Sequence, residues 1–402
     1  MVTSRWFARS SVLLSLWAAT FGCRRIVSEP SGNAPLPGDA GLTRAGVLGA
    51  FGACAYDLSR DFRERAENFE RRTGTLAGAP TAENLAVAKA AWEDAIDVWE
   101  RIELYQFGPA APVTSPGGQD LRSQIYSWPT VSRCPLEQGL VNRTFEQPTF
   151  TTDSPTNRGL YAAEYLLFYP GTDNACGAGS SINTSGAWAG LGTAGLAQRK
   201  GAYAHAIALD LVTRARTLEN AWAPTGGNFG KELTNAGSAS GLFASQQFAF
   251  NTISDALFYI EIATKDMKLG KPSGLRMCET PTCPEALESP WAKRSKTHIR
   301  SNLVGAQMLV FGCTAGGNVG FDDLLSAMGR GDVAARLATA FTEAIAAVDA
   351  IPDPDLDVTL ARDRVVVQNL YIALKKITDI MRSDFVTVLD LEIPKVIEGD
   401  ND

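Results

Sequence analysis

Histidine is scarce in this chain of 402 residues, which contains His205 and His298 as its two copies. There is no HExxH stretch, the pattern by which many metallopeptidases hold zinc on a helix, and no GxSxG elbow of the serine-hydrolase type. Close CxxC pairs are missing too, which argues against a structural zinc site. His205 lies off the apolar face of its predicted helix, so we expect a surface or hydrogen-bonded histidine there.

An excess of positive charge is also absent. The formal net charge is −7, and it becomes −9 if residues 1–22, which carry two arginines and no acidic residue, are removed. Nucleic-acid binding requires a basic surface, so that function class is disfavoured. After residue 22, no apolar run is long enough to cross a membrane. The 45% of hydrophobic residues is sufficient for the cores of two globular domains.

The first 22 residues are typical of an export signal. Arg5 and Arg9 precede a short apolar segment, which stops at Gly22-Cys23. This junction resembles a bacterial lipobox and predicts a lipid anchor on Cys23, with secretion without an anchor as the alternative. Residues 23–43 are rich in Ser, Pro, Gly and Ala and are predicted to form a tether. We therefore expect a cell-envelope protein that faces the periplasm or is held in the outer membrane.

The remaining cysteines support export. Their number is even, which in an exported chain suggests three disulfides and fifteen possible connectivities. Cys278 and Cys283 flank a tight Glu-Thr-Pro-Thr loop and are expected to pair. The other two pairs are then assumed without further support. The three assumed pairs are Cys54–Cys313, Cys134–Cys176 and Cys278–Cys283.

Helical periodicity dominates the chain, and no convincing strand with period-two alternation is found. The predicted fold is all-α, with two packed helical-bundle domains at 44–222 and 223–402, divided by a Gly, Asn and Pro-rich stretch at 223–240. Thr81, Asp120 and Asp332 are expected as helix N-caps. The predicted helices span about 44–72, 81–107, 120–127, 159–168, 193–222, 241–268, 295–311, 332–350 and 358–389.

One carboxylate interrupts the apolar stripe of the helix predicted at 81–107. Glu103 lies four residues after Trp99 and four before Phe107, so all three share a face. A buried carboxylate must find a cation, a hydrogen-bond donor or a proton, which makes Glu103 a candidate functional group. Glu93, Asp94 and Glu100 are placed off this stripe and are expected to be solvated.

A second such carboxylate, Glu164, lies on the apolar face of the helix at 159–168, whose sequence is GLYAAEYLLF. This segment resembles the signature of the imelysin-like family, GxHxxE followed by an apolar run. Gly159 and Glu164 match the motif, whereas Tyr161 stands at the position of the family's histidine. The sequence therefore keeps the frame of the motif without its strongest metal ligand.

The resemblance to imelysin-like proteins extends over roughly residues 44–392. Glu103 before Phe107-Gly108-Pro109, and then Trp128-Pro129, follow the order of motifs in that family. The later KLGKPSG segment and the Glu288-Ser289-Pro290 segment, with Ser295 and Asn302 beyond it, continue the same order. The resemblance implies two helical bundles, with the signature helix facing the junction between them.

The resemblance also implies a candidate site. Glu103, Tyr161 and Glu164 would form an all-oxygen site for iron or another hard cation if their helices face each other. In the alternative, the Tyr161 hydroxyl donates to one of the carboxylates and fills the place of the metal, so that no cofactor is bound. No catalytic residue is assigned from the sequence.

Three functions remain open at this stage. The favoured one is a non-catalytic envelope lipoprotein that binds a metal ion or a partner in iron-associated uptake, together with components of that uptake system. The second is a metal-dependent peptidase, which the family resemblance implies. The third is a scaffold with a vestigial metal site.

Overall fold

The structure, a computed structural model, describes residues 35–36 and 39–395. The predicted export signal, the lipidation site at Cys23 and most of the tether therefore lie outside the described residues. The end of the tether forms a short antiparallel pair of strands, β1 (Pro35–Leu36) and β2 (Asp39–Thr43). The expectation of no strand was wrong for this pair, which is too short to show a period-two pattern.

The described part of the chain is otherwise helical, as predicted. Its α-helices are α1 (Arg44–Gly78), α2 (Ala82–Ile102), α3 (Leu121–Ile125), α4 (Arg133–Asn142), α5 (Gly159–Phe168), α6 (Ser181–Thr184), α7 (Ala187–Trp222), α8 (Phe229–Thr234), α9 (Gln246–Leu257), α10 (Ser295–Val310), α11 (Phe321–Ala327), α12 (Gly331–Asp349), α13 (Leu356–Arg362), α14 (Arg364–Ile380) and α15 (Val386–Val388). Two π-helices lie at Ile260–Gly270 and Met381–Phe385. Short 3-10 turns lie at Gly108–Ala110, Thr144–Glu146, Phe150–Thr152, Pro155–Asn157, Pro284–Ala286 and Thr314–Gly316.

Helix starts follow the capping pattern in part. The Thr81 hydroxyl accepts a hydrogen bond from the N–H of Asn84 at 3.1 Å, as predicted for the start of α2. Asp120 occupies the N-cap position of α3 but makes no side-chain cap. Asp332 is not the cap of α12, because Arg330 holds that position. The carboxylate of Asp332 lies in the first turn instead, where it forms an ion pair with Arg330 at 2.8 Å.

Several predicted helices have different bounds in the structure, since α1 extends to Gly78 and α7 begins at Ala187. The α2 helix ends at Ile102 rather than near Phe107, so Glu103 caps its C-terminus. The helix predicted at 241–268 is divided into α9 and the π-helix Ile260–Gly270. The helix predicted at 358–389 is likewise broken, at Asp363 and again at Met381. Local periodicity does not reveal such breaks, since the apolar spacing of a π-turn differs from that of an α-turn by one residue.

The helices form two groups that meet at several helix pairs, and α1 of the first group also packs against α8, α9 and α11. In the first group α1 packs against α2 and α7, and α5 packs against α7. In the second group α12 and the π-helix Ile260–Gly270 pack against α14. The α2 helix of the first group packs on α10 of the second. The division into domains at 223–240 stays a prediction.

Gly305 makes the contact between α10 and α2 close. A Cβ atom on Gly305 would lie 2.5 Å from the carbonyl oxygen of Arg101 and 2.9 Å from its Cα. Gly305→Ala is expected to lower the free energy of unfolding by about 1–3 kcal/mol, because the two backbones must separate. Urea denaturation measures this change.

Gly190 provides the matched control for that substitution. It lies in the helix α7, and a Cβ atom there would meet nothing within 4 Å. Gly190→Ala is expected to leave stability unchanged or raise it by up to about 1 kcal/mol. Equal effects of the two alanines would contradict the close packing of α10 on α2.

Three disulfides join the pairs assumed from the sequence. Cys54–Cys313 links α1 to the segment after α10, across a sequence separation of 259 residues. Cys134–Cys176 ties α4 to the loop after α5, and Cys278–Cys283 closes a local loop. Among the described residues, no helix combines the length and apolar character needed to cross a bilayer.

Candidate metal site

A buried cluster of two carboxylates and one imidazole lies where α2 meets α10. Glu100 comes from α2, His298 from α10, and Glu288 from the connection that precedes α10. The three side chains have no solvent exposure. Each offers one ligand atom, and these atoms lie within 4.8 Å of one another. Carboxylate oxygen and imidazole nitrogen together form a donor set that suits transition-metal ions.

Lys268 bridges the two carboxylates of this cluster. Its ammonium lies 2.6 Å from Oε2 of Glu100 and 2.8 Å from Oε1 of Glu288. It also donates to Oδ1 of Asn302 at 2.9 Å. Lys268 belongs to the π-helix Ile260–Gly270, and the irregular turn is a feature often found at functional sites. One oxygen of each carboxylate is thus occupied by Lys268.

Further hydrogen bonds fix the orientation of the ligands. Asn302, one turn after His298 on α10, donates to the carbonyl oxygen of Glu100 at 2.6 Å and to its Oε2 at 2.8 Å. The hydroxyl of Tyr126 donates to Oε1 of Glu288 at 2.8 Å. Partners of this kind hold ligating side chains in one orientation around a metal ion.

The second oxygen of each carboxylate faces His298. Nδ1 of His298 lies 3.3 Å from Oε1 of Glu100 and 3.2 Å from Oε2 of Glu288. Among the described residues these atoms and Nε2 of His298 lack the geometry of a hydrogen bond, so the two contacts are ion pairs when His298 is protonated. Ligand atoms about 2.0–2.2 Å from a tetrahedral ion are roughly 3.3 Å apart. The cluster therefore has the donor types for a small cation, and its two imidazole–carboxylate distances match a tetrahedral site, while all three ligand atoms lie within 4.8 Å of one another.

The pKa shifts in the cluster favour a set of charges that sums to zero. Burial, with the negative charge of Glu288, raises the pKa of Glu100 to about 7. Burial also opposes ionisation of Glu288, but the charges of Lys268 and His298 outweigh it and lower the pKa of Glu288 to about 2. Burial lowers the pKa of His298, and the two carboxylates more than reverse that effect, so it is raised. With His298 protonated, two anions balance two cations.

Glu164 lies beside this cluster on α5. Its Oε1 accepts from the hydroxyl of Ser289 at 2.9 Å, and from the backbone N–H groups of Trp291 at 3.1 Å and Ala292 at 2.9 Å. Its Oε2 is buried without a partner among the described residues. Burial raises the pKa of Glu164 to about 7, although these hydrogen bonds and the charge of His298 oppose the rise. Glu164 is thus a third acidic group within electrostatic reach of His298.

Gly159 adopts the backbone conformation that the start of α5, the signature segment, requires. Its φ is +80°, a region that favours glycine, and a Cβ atom would lie 2.6 Å from the carbonyl oxygen of Ile125. Glycine thus lets α5 begin in contact with the end of α3. That contact sets the position from which Glu164 reaches the Ser289 loop.

The other two predicted ligands have different surroundings. Glu103 is buried, as expected, but its carboxylate forms an ion pair with Arg122 at 3.0 Å and accepts from the Tyr259 hydroxyl at 2.5 Å. Glu103 lies outside the ligand group of Glu100, Glu288 and His298. Tyr161 contacts aromatic rings, with Tyr126 at 6.1 Å and Trp291 at 5.4 Å between centroids. The Glu103, Tyr161 and Glu164 set stays a prediction.

The expectation that Glu100 is solvated was wrong. Counting along α2 at intervals of four places Trp92, Ile96 and Glu100 in one row, so the apolar stripe itself contained the signal. Glu93, which was expected to be solvated as well, forms an ion pair with the half-buried Arg294 at 3.2 Å.

The second histidine has the surroundings that the sequence predicted. His205 is half-buried on α7, 4.0 Å from a carboxylate oxygen of Glu70 and 3.4 Å from the hydroxyl of Thr73. It is therefore a hydrogen-bonded histidine away from the cluster of Glu100, Glu288 and His298.

Comparison with known proteins identifies the family of the chain. The family model described as Imelysin (Peptidase_M75) matches residues 55–381. The chain belongs to the imelysin family. It is 26% identical over 363 residues to iron-regulated protein A of Synechococcus elongatus, covering 84% of this chain and 90% of that protein. The resemblance to imelysin-like proteins in the sequence is thereby confirmed.

A solved structure extends the comparison to the fold. A crystal structure from Parabacteroides distasonis, described as a putative iron-regulated protein A precursor, superimposes with a TM-score of 0.64 at 17% identity. The match covers 89% of this chain and 97% of the other. At that identity the likeness supports the fold alone. The all-α imelysin fold predicted from the sequence is confirmed.

Replacing Glu164 by glutamine is expected to alter how stability depends on pH. The folded pKa of Glu164, about 7, lies above its ordinary value of 4.5, so a proton binds the folded state more tightly. That contribution is fully present below about pH 4.5 and is lost as the pH rises through about 7. The stability of wild type relative to Glu164→Gln should therefore fall by about 3 kcal/mol across this window.

Urea denaturation of both proteins at a series of pH values measures that difference. Glutamine keeps the acceptor oxygen for Ser289 and the two backbone N–H groups but does not titrate in this range. Glu83→Gln, at an exposed glutamate in the first turn of α2, serves as the control. A difference that does not vary with pH would mean that the pKa of Glu164 is the same in the folded protein as in the unfolded chain.

Proposed function

We propose that this imelysin-family protein is an exported, cell-envelope protein that binds one metal ion, with iron as the first candidate, in iron-associated uptake. The observation that carries the proposal is the buried group of Glu100, Glu288 and His298, in which the atoms that face one another have no hydrogen-bond partner among the described residues. With His298 protonated these atoms are paired as ions. A bound cation would take the place of the His298 proton among the same three groups, because metal ligands must be deprotonated.

The donor set supports a divalent transition ion. Two carboxylates and an imidazole suit Fe²⁺, Mn²⁺ or Zn²⁺ better than Ca²⁺, which takes oxygen ligands. Glu100, Glu288 and His298 would hold the ion, and Lys268 and Asn302 would orient the carboxylates. The iron-regulated relatives favour iron among these ions.

Binding without catalysis is supported by enclosure. A hydrolytic metal site keeps one coordination position open to water and substrate. Here the three ligands have no solvent exposure, and the third acidic group, Glu164, is equally enclosed. A peptide could not reach the ion without separation of α2 from α10. The peptidase alternative therefore needs a movement of the two helix groups.

Export and anchoring belong to the same proposal. Three disulfides are typical of proteins that fold outside the cytoplasm. A lipid on Cys23 would hold the protein at a membrane surface, with the helical body facing the periplasm. Components of an iron-uptake system are the proposed partners.

Metal titration of the purified protein tests the proposed function. Anaerobic calorimetry with Fe²⁺, and separately with Mn²⁺ and Zn²⁺, should give one site per chain. Glu288→Gln and His298→Gln should each weaken that binding by at least about a hundredfold, because each removes a ligand. His205→Gln, at the half-buried histidine near Glu70, should bind as the wild type does.

The same titration separates the alternatives. Loss of binding in Glu103→Gln but not in Glu288→Gln would favour the all-oxygen set proposed from the sequence. Absence of stoichiometric binding in folded wild-type protein would make the cluster a metal-free ion-pair network. Peptide cleavage that chelators abolish would favour the peptidase.

A further inference from the structure

A cleft that is separate from the acidic cluster opens beside the C-terminal end of α5. Its volume is about 240 Å³. Apolar side chains form most of its wall, from the end of α1, the first half of α2, the end of α5 and the first half of α7. They include Leu76, Leu85, Leu167, Phe168 and Leu196. A concave apolar surface of this size suits the body of a small organic molecule.

Lys200 gives the cleft a half-buried cation. Its ammonium donates to the carbonyl oxygen of Tyr169 at 2.9 Å, and it lies 5.3 Å and 5.2 Å from the ring centroids of Tyr165 and Tyr169. Burial, with the charge of Arg133, lowers the pKa of Lys200 to about 8. One hydrogen bond leaves two of the three ammonium protons available to another acceptor.

Lys89 supplies a second cation on the same cleft. Its ammonium lies 5.0 Å from the ring centroid of Phe168. Among the described residues neither lysine forms an ion pair within 4.0 Å, although the charges of Glu137 and Asp173 act on Lys200 and oppose the fall in its pKa. The start of α2, at Pro80 to Ala82, also lines the cleft and adds the partial positive charge of a helix N-terminus. Two lysines and the N-terminus of α2 thus line an apolar floor, and Glu83 is the acidic residue in the first turn of that helix.

We propose that this cleft binds a small organic monocarboxylate with an apolar body, whose carboxylate is held between Lys200 and Lys89. The apolar body lies against Phe168 and Leu85, and the carboxylate completes the hydrogen bonding of Lys200. A singly charged anion fits better than a phosphate, because the desolvation of a doubly charged group on an apolar floor costs more. This proposal does not depend on metal binding at the buried cluster.

Hexanoate is the probe for this cleft, and hexanol is its neutral match. Calorimetry on the wild-type protein should show saturable binding of hexanoate and binding of hexanol that is weaker by at least about tenfold. Lys200→Met should weaken hexanoate binding by a similar factor and leave hexanol binding unchanged. Lys376→Met, at an exposed lysine on α14, should match the wild type for both.

Amide chemical shifts of the wild-type protein locate the probe without any substitution. Hexanoate should move the resonances of Leu85, Ala197 and Gly201, which line the cleft. If Lys200→Met does not fold, Lys89→Met takes its place in the calorimetry. Shifts elsewhere on the protein, equal binding of hexanol, or no saturable binding at millimolar concentrations would each overturn the proposal.

Discussion

Lys268→Met is expected to destabilise the protein by about 3–5 kcal/mol, because it leaves two buried carboxylates without their shared cation. Lys268 has no solvent exposure and lies 2.6 Å from Glu100 and 2.8 Å from Glu288. Burial lowers the pKa of Lys268, but the carboxylates outweigh it and raise the pKa above the ordinary lysine value. The ammonium is therefore charged at neutral pH and below. Guanidinium denaturation at neutral pH measures the loss.

Two further measurements test why Lys268→Met loses stability. Adding Glu100→Gln to Lys268→Met should restore part of the lost stability, since one uncompensated charge is removed. A divalent ion should also stabilise the Lys268→Met protein more than the wild type if the carboxylates ligate it, because binding to the folded state alone adds stability. A loss below about 1 kcal/mol would mean that water or a shifted proton compensates the carboxylates.

The fold could be predicted from the sequence because helix signals are local. Thr81 before an apolar stripe specified the start of α2, and the order of motifs specified the family. The π-helix at Ile260–Gly270 could not be predicted in this way, because its irregular turn depends on packing against α14 rather than on residues close in sequence.

The candidate site was predictable only in part. Glu164 was identified correctly as a buried carboxylate. It shares a helix face with apolar residues, and the burial of that face also buries Glu164. Glu288 lies in a loop, where no periodicity indicates burial, and His298 lies 198 positions after Glu100 along the chain. These residues come together because α2 packs on α10, and the distance between two helices cannot be read from a single sequence.

The disulfide Cys54–Cys313 is expected to contribute more to stability than the two shorter ones. It closes a loop across 259 residues, whereas Cys278–Cys283 spans a separation of 5. In the chain-entropy account, cross-linking restricts the unfolded chain more as the loop grows, which gives about 5.5 kcal/mol for the long loop and about 2 kcal/mol for the short one. Replacing both cysteines of each pair by alanine avoids free thiols and allows denaturant unfolding to be compared directly.

The difference between the two double variants tests where the long disulfide acts. If the two losses of stability differ by about 3 kcal/mol, the long disulfide acts mainly by restricting the unfolded chain, as its loop length predicts. A smaller difference, with metal affinity reduced in Cys54→Ala/Cys313→Ala alone, would mean that it acts in the folded protein instead. Cys54 lies on α1, which packs against α2, and Cys313 follows α10, so this disulfide links the helix groups on which Glu100 and His298 stand. Affinity and stability measured on the same variants distinguish these two roles.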